Sequence, residues 1–232
     1  MIALLTALRE EKSALGKDWG LRPAGRVQGF ECETGPDCVH CCTGMGSERM
    51  AAGVRLVEKV FRPSLFVLFG FSVGLDPELK VGDLVVDERS DSGLLEALLD
   101  SGLSLRVGPI ATCGFLGSAD KKRAFGERFP ASDVADMESE SFLKAAPAGS
   151  AVLVVRSVSD GVDTDLPLDF ERLVDSRGFP DRGAIAREVA KNPMLLPRLM
   201  RLAQEAHRAT AALAEFFAKN HNALGLYARS RA

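Results

Sequence analysis

Short, nearly uninterrupted apolar runs alternate with helix-like segments along this chain, and that alternation most restricts its fold. Residues 2–6, 65–70, 84–88, 105–111 and 152–157 are runs of this kind, with further strand-like segments at 30–33 and 38–43. A strand with no polar face must be covered on both sides, as in parallel sheets flanked by helices. The intervening segments carry helical spacing. Ser47 can cap a helix reaching Phe61, with Val54, Leu56, Val57 and Val60 as its apolar residues. Shorter helices are predicted over 94–99, 119–128 and 138–146. The pattern is that of an α/β domain.

The C-terminal third reads as helical. A helix over 184–191 is expected to stop at Asn192-Pro193, and Pro193 suits the first turn of the next, from Met194 to about Lys219. Pro197 falls in that first turn, where its missing N–H costs little. Leu195, Leu196, Leu199, Met200, Leu213, Phe216 and Phe217 form a stripe expected to pack. No repeat or linker divides the 232 residues. One domain is therefore expected over 1–219, followed by a flexible tail over 220–232.

Charge and hydropathy remove several functions. The 29 basic and 32 acidic residues leave a formal charge of −3, without the basic footprint of a nucleic-acid binder. The longest apolar stretch, 65–75, is too short for a membrane span of about 20 residues. Residues 1–8 are apolar but lack a basic lead and are followed by Arg9-Glu10-Glu11-Lys12, which suits a buried first strand better than a secretory signal. A cytoplasmic location is expected.

Cys32, Cys38, Cys41 and Cys42, with His40 among them, invite a metal reading. A hairpin around Thr34-Gly35-Pro36-Asp37 points Cys38 and Cys41 to opposite faces, so this C-x-x-C cannot chelate. Buried free thiols are expected, and no metal.

Three motifs bear on chemistry. Gly44-Met45-Gly46 stands where a dinucleotide fingerprint would, but Arg49 takes the place of the third glycine; it reads as a tight strand-to-helix turn. Gly70-Phe71-Ser72-Val73-Gly74 matches G-x-S-x-G, and Ser72, Asp160 and His207 satisfy a hydrolase triad in order. Against it, Pro77 and Gly82 leave no room for the helix that should follow, and His207 falls inside a helix. Finally, Glu11, Asp136, Glu138 and Asp160 lie just beyond or at the ends of predicted strands, with Arg156 beside the last. Open α/β sheets bind ligands at the carboxyl ends of their strands. Converging acids there suit displacement at a sugar carbon: one protonates the leaving group, one activates water, one grips hydroxyls.

These residues resemble the nucleoside phosphorylase and nucleosidase family, most closely its hydrolytic branch of methylthioadenosine/S-adenosylhomocysteine nucleosidases. The resemblance runs from Met1 to about Asp163 and rests on the order of several motifs: Thr6-Ala7-Leu8-Arg9-Glu10-Glu11, Thr43-Gly44-Met45-Gly46, Leu79-Lys80-Val81-Gly82-Asp83, Asp136-Met137-Glu138 and Arg156-Ser157-Val158-Ser159-Asp160. The C-terminal Asn192-Pro193 and Leu195-Leu196-Pro197 are similar to the hopanoid-associated phosphorylase subgroup. The resemblance implies a three-layer α/β/α sandwich around a mixed, partly barrel-like sheet, here with extra C-terminal helices, and a homodimer or larger assembly. It implies no organic cofactor, with inorganic phosphate as co-substrate only if the reaction is phosphorolytic.

It also implies roles. Asp160 is the acid at N7 of a purine, which requires it to keep a proton near neutral pH through burial. Glu11 orients the attacking water, and Arg156 holds that water and the acids. Glu138 binds the ribose hydroxyls, with Met137 beneath the sugar. Phe115 stacks on the base and the Leu116 backbone reads its edge. Ser72, Ser159 and Asp136 complete the substrate site. Two departures stand out. Phe71 replaces a serine and Val73 a glycine of the family's Gly-Ser-Ala-Gly-Gly run. The connection between Val86 and Ala111 is shorter than in the nucleosidases, which opens the 5′ side to a bulky group such as that of adenosylhopane. Phosphorolysis would draw on Arg9, Arg49 and Arg156, but Glu11 would repel the anion, which favours water. A serine hydrolase and a nucleoside binder without turnover are the other readings.

Overall fold

The structure, a computed structural model, describes residues 1–231. Ten strands form one sheet: β1 (Ile2–Thr6), β2 (Arg22–Val27), β3 (Phe30–Thr34), β4 (Cys38–Cys42), β5 (Leu65–Gly74), β6 (Leu84–Asp87), β7 (Leu105–Gly108), β8 (Ile110–Thr112), β9 (Val134–Asp136) and β10 (Ala151–Asp160). Seven helices accompany them: α1 (Arg9–Lys12), α2 (Ser47–Phe61), α3 (Ser92–Leu99), α4 (Ala119–Arg128), α5 (Ser139–Ala145), α6 (Arg182–Lys191) and α7 (Leu195–Ser230).

The main path runs β2-β3-β4-β1-β5-β10-β6-β7. Its centre is parallel, with β1 between β4 and β5, and β5 beside β10 from Leu65↔Ala151 onward. β6 then runs antiparallel to β10. The far end of β5 pairs with β9 through Val73↔Ala135, and β9 pairs with β8. Pro109 alone separates β8 from β7. The route β5-β10-β6-β7-β8-β9 thus returns to β5, giving the sheet its expected mixed, partly barrel-like form. The single run predicted over 105–111 is split there, because proline cannot donate to a ladder.

Strand parity separates two cores. Leu4, Val67, Phe69, Leu153 and Val155 pack on one face with Leu94 and Leu98 of α3 and Leu213, Phe216 and Phe217 of α7. Ala3, Leu5, Phe66, Leu68 and Val154 pack on the other with Met50, Val54 and Val57 of α2 and Phe142 of α5. This is the three-layer arrangement. Cys38 belongs to the first core and Cys41 to the second, so the two thiols do point to opposite faces. Cys32 faces Cys41 across the β3–β4 hairpin.

Three expectations need correction. β2 was not predicted: it is an exposed edge strand carrying Pro23 and Gly25, with no apolar run to betray it. The tail expected over 220–232 is helical as far as α7 extends; Asn220, Leu224 and Ala228 are buried, and Tyr227 bonds Asp91. Residue 232 lies outside the described residues. The stripe on α7 divides, for Leu213, Phe216 and Phe217 are buried while Leu196 and Met200 are exposed. Among the described residues no helix is long and apolar enough to cross a membrane.

Candidate active site

Residues that follow β1, β8 and β9, or end β5 and β10, surround one cavity of about 420 Å³. Of the predicted residues, Glu11, Ser72, Phe115, Leu116, Asp136, Met137, Glu138, Ser159 and Asp160 line it. Arg156 lies behind them, fully buried.

Glu11 is placed by a turn of helix after β1. Its Oε2 accepts from the backbone N–H of Ala7 (2.9 Å) and Leu8 (2.8 Å), and its Oε1 from that of Phe71 (2.9 Å). Burial nevertheless pushes its carboxyl up, against Arg156 and those three donors. The approach of Glu11 to Arg156 runs past Gly70. A Cβ there would overlap Glu11 Oε1 and stand 2.7 Å from Arg156 Nη1, so a side chain is excluded.

Glu138 Oε1 accepts from the Gly46 N–H at 2.9 Å. Gly46 has φ +105° in the strand-to-helix turn before α2, a conformation glycine adopts freely. The Gly44-Met45-Gly46 turn therefore serves the acid cluster. Arg156 Nη2 lies 3.6 Å from Glu138 Oε2. Burial pushes Glu138 up to about 7, with Arg156 opposing the shift and Asp136 adding to it. The Arg156 guanidinium is held further toward its charged form by Asp136, Glu138 and Glu11, which outweigh its own burial.

Asp136 differs from its expected role. Its Oδ1 accepts from Ser139 N (3.1 Å) and Thr112 Oγ1 (3.0 Å), and its Oδ2 faces Ser139 Oγ and Arg156 Nη2. Both oxygens are engaged within the protein, so Asp136 supports Arg156 instead of presenting a free acceptor to a ligand. Among the described residues, all three guanidinium nitrogens of Arg156 and Oγ of Ser72 are buried without a hydrogen-bond partner, although Nη2 is ion-paired with Asp136. Such buried donors are costly unless something accepts from them.

Asp160 ends β10 just after a register shift between Val158 and Asp160 against β5. Bulges commonly re-aim side chains beside sites. Its Oδ1 lies 2.7 Å from Ser159 Oγ. Its Oδ2 accepts from Lys122 Nζ at 2.5 Å. The expectation of burial alone is thus incomplete, because a fully buried ammonium touches this acid. Lys122 escaped the sequence reading because lysine is normally exposed. The available signal was its spacing on α4: Ala119, Lys122 and Gly126 share an inward face.

The hydrolase triad is not assembled. Ser72 lies within the extended β5 and not on a strand-to-helix elbow, His207 is exposed on α7 and does not line the cavity, and Asp160 pairs with Lys122. The opposite wall was also missed. Phe170 packs edge-on to Phe115 with ring centres 6.5 Å apart. Ile185 of α6 and Leu199, Leu202 and Ala206 of α7 complete an apolar surface. Among the described residues, none of the β6–β7 connection lines the cavity, and residues of α6 and α7 line part of it. Among the described residues no group of three His, Cys, Asp or Glu is arranged to hold a metal ion.

No protein-family model matches the chain. It is 24% identical over 211 residues to the 5′-methylthioadenosine/S-adenosylhomocysteine nucleosidase of Geobacillus thermodenitrificans, covering 75% of this chain and 89% of that one. Its structure matches the Helicobacter pylori nucleosidase of the same name with a TM-score of 0.70 at 18% identity, over 95% and 97% of the two chains. The chain shares the fold of these nucleosidases. The futalosine hydrolase of Helicobacter pylori is similar too, with a TM-score of 0.69 at 17% identity over 95% and 97%. The chain thus has a phosphorylase/hydrolase-like architecture with a long C-terminal helix.

Proposed function

We propose that the protein cleaves the N-ribosidic bond of a purine nucleoside, with adenine as the base and water as the nucleophile. The observation that carries this reading is the convergence of Glu11, Glu138 and Asp160, from three separate chain segments, on one largely apolar cavity. Ribosidic cleavage passes through a cationic sugar. A carboxylate near the ring stabilises it, and a proton delivered to the base improves the leaving group. Asp160 acts as that acid. Glu11, whose raised carboxyl suits a general base, orients water, and the unpartnered Arg156 Nη1 donates to the same water. Glu138 receives the ribose hydroxyls over Met137, and Phe115 stacks on the base.

Two observations favour water over phosphate. Arg9 pairs with Glu31 and stacks 4.4 Å over Phe179. Arg49 donates to the Thr43 carbonyl at 2.6 Å. Neither lines the cavity, which leaves Arg156 as the sole member of the expected phosphate-binding trio beside the acids. The apolar wall of α6 and α7 suits an apolar 5′ substituent, in line with the hopanoid-associated subgroup resemblance. A homodimer is carried over from the same resemblance as part of this reading.

The test is base release from a panel of nucleosides, plain and 5′-alkylated, with and without added phosphate. Cleavage without phosphate is expected, abolished by Asp160→Asn and retained in Ser72→Ala. Strict dependence on phosphate would make the enzyme a phosphorylase. Ligand-induced stabilisation without any turnover would make it a binder.

A further inference from the structure

The proposed chemistry gives Lys122 no role, yet few residues in the molecule are more tightly placed. It is fully buried on α4, a helix otherwise largely exposed. Its ammonium has three protons and three acceptors: Asp160 Oδ2 at 2.5 Å, the Gly161 carbonyl at 3.2 Å and the Thr164 carbonyl at 2.6 Å. Burying an ammonium is expensive, and an apolar side chain of similar length would fill the same space more cheaply. Packing alone therefore does not account for it.

We propose that Lys122 is a positioning residue for the leaving-group acid: it holds Asp160 in its aim and stabilises the carboxylate that remains after proton transfer. The proposal rests on the nucleosidase reading. With Oδ2 held by Lys122, only Oδ1 of Asp160 is left to face the base, beside Ser159 Oγ. As the ribosidic carbon–nitrogen bond breaks, its electron pair passes to the base and the proton on Oδ1 passes to N7. Water supplies the new bond to C1′ and gives its proton to Glu11. Asp160 is then an anion facing a fixed cation in a dry site, where such contacts are strong. The two carbonyl contacts extend the effect by fastening the loop after β10, which leads to Leu166 and Phe170 of the cavity wall.

The other charged groups nearby have different partners. Arg123 of α4 pairs with Asp120 and Asp163. Asp165 accepts from Ala119 N, and Arg198 of α7 reaches the Asp165 carbonyl. Glu11, Asp136 and Glu138 share Arg156 across the cavity.

The test compares wild type with Lys122→Gln and Lys122→Met in two measurements. One is the pH dependence of kcat for base release. The other is titration of the Asp160 side-chain carboxyl carbon by 13C NMR, which needs no turnover. Removing the ammonium should lower kcat more than it raises KM, and move both the high-pH limb of kcat and the carboxyl midpoint upward by about one pH unit or more. An unmoved midpoint in a folded variant overturns the proposal, whatever happens to rate. A moved midpoint in a protein that cleaves no nucleoside defeats the nucleosidase reading and, with it, the leaving-group role. Should neither single variant fold, Lys122→Gln combined with Asp160→Asn removes both charges together. Recovery of folded double variant then supports a charge unit, and equal instability refutes it.

Discussion

Replacing Gly70 by alanine is the sharpest probe of how the acid cluster is built. The new Cβ would overlap Glu11 Oε1 and lie 2.7 Å from Arg156 Nη1. Neither neighbour can give way cheaply. Glu11 is pinned by the N–H groups of Ala7, Leu8 and Phe71, and Arg156 is buried against Asp136. Relieving the overlap requires Glu11 to retreat by roughly 1 Å and lose its bond from Phe71. Forfeiting a hydrogen bond to a charged group costs about 1.5–3 kcal/mol, and overpacking a core costs about 1–3 kcal/mol. The gain from a stiffer unfolded chain returns only about 0.4–1 kcal/mol. A net loss of about 2–5 kcal/mol is expected, a large share of an ordinary domain's stability. Gly16→Ala is the control, since a Cβ there meets nothing within 4 Å and the residue already has φ −69°. The assay is urea unfolding followed through Trp19, the only tryptophan, which is buried in the native core. Base release should fall about 100-fold as well, because displacing a positioned group by 1 Å has that effect. A Gly70→Ala protein within about 0.5 kcal/mol of wild type, the span of neutral substitutions, and equally active would refute the reasoning.

Two further outcomes are expected. Glu138 is pushed up to about 7, so the native state keeps a proton that the unfolded chain releases near its ordinary value. Its contribution to stability is present at low pH and lost as pH rises from about 4.5 to about 7, amounting to about 3 kcal/mol. Glu138→Gln should remove that slope, so that wild type minus variant stability, from denaturant unfolding at pH 5 and pH 8, falls across the window; an identical difference at both values would contradict it. Truncation before Asn220 removes buried Leu224 and Ala228 and the Tyr227–Asp91 hydrogen bond. A loss of at least about 2–3 kcal/mol is expected from the leucine burial alone, and an unchanged thermal midpoint would restore the view of a dispensable tail.

The elements that were legible in the sequence are those whose environment is uniform. β1, β5 and β10 lie at the sheet centre, covered on both sides, so burial wrote itself as continuous apolar runs. β2 sits at the edge, where pairing with β3 alone supplies its order and leaves no compositional trace. The end of α7 was misread because its inward positions are held by Asn220, Leu224 and Ala228 among polar residues, too sparse a stripe to stand out. The acids of the site were visible as strand-end residues, and the family resemblance gave them roles. What no local pattern conveyed was the partnership between segments: Lys122 on one helix with Asp160 on a distant strand, Gly46 with Glu138, and the apolar wall from α6 and α7.

α7 itself is two objects in one continuous helix. From Leu195 to Arg208 no residue is buried, and this half contributes to the cavity wall. From Ala209 to Ala228 the same helix carries Leu213, Phe216, Phe217 and Leu224 deep into a core shared with the central strands. Backbone opening is governed by how much packing must be lost. The front half can therefore fray, with α6, while the rear stays closed until the whole molecule unfolds. Amide exchange along this one helix should rise steeply toward its N-terminal end, making the ligand's wall soft and its anchor rigid without a joint between them.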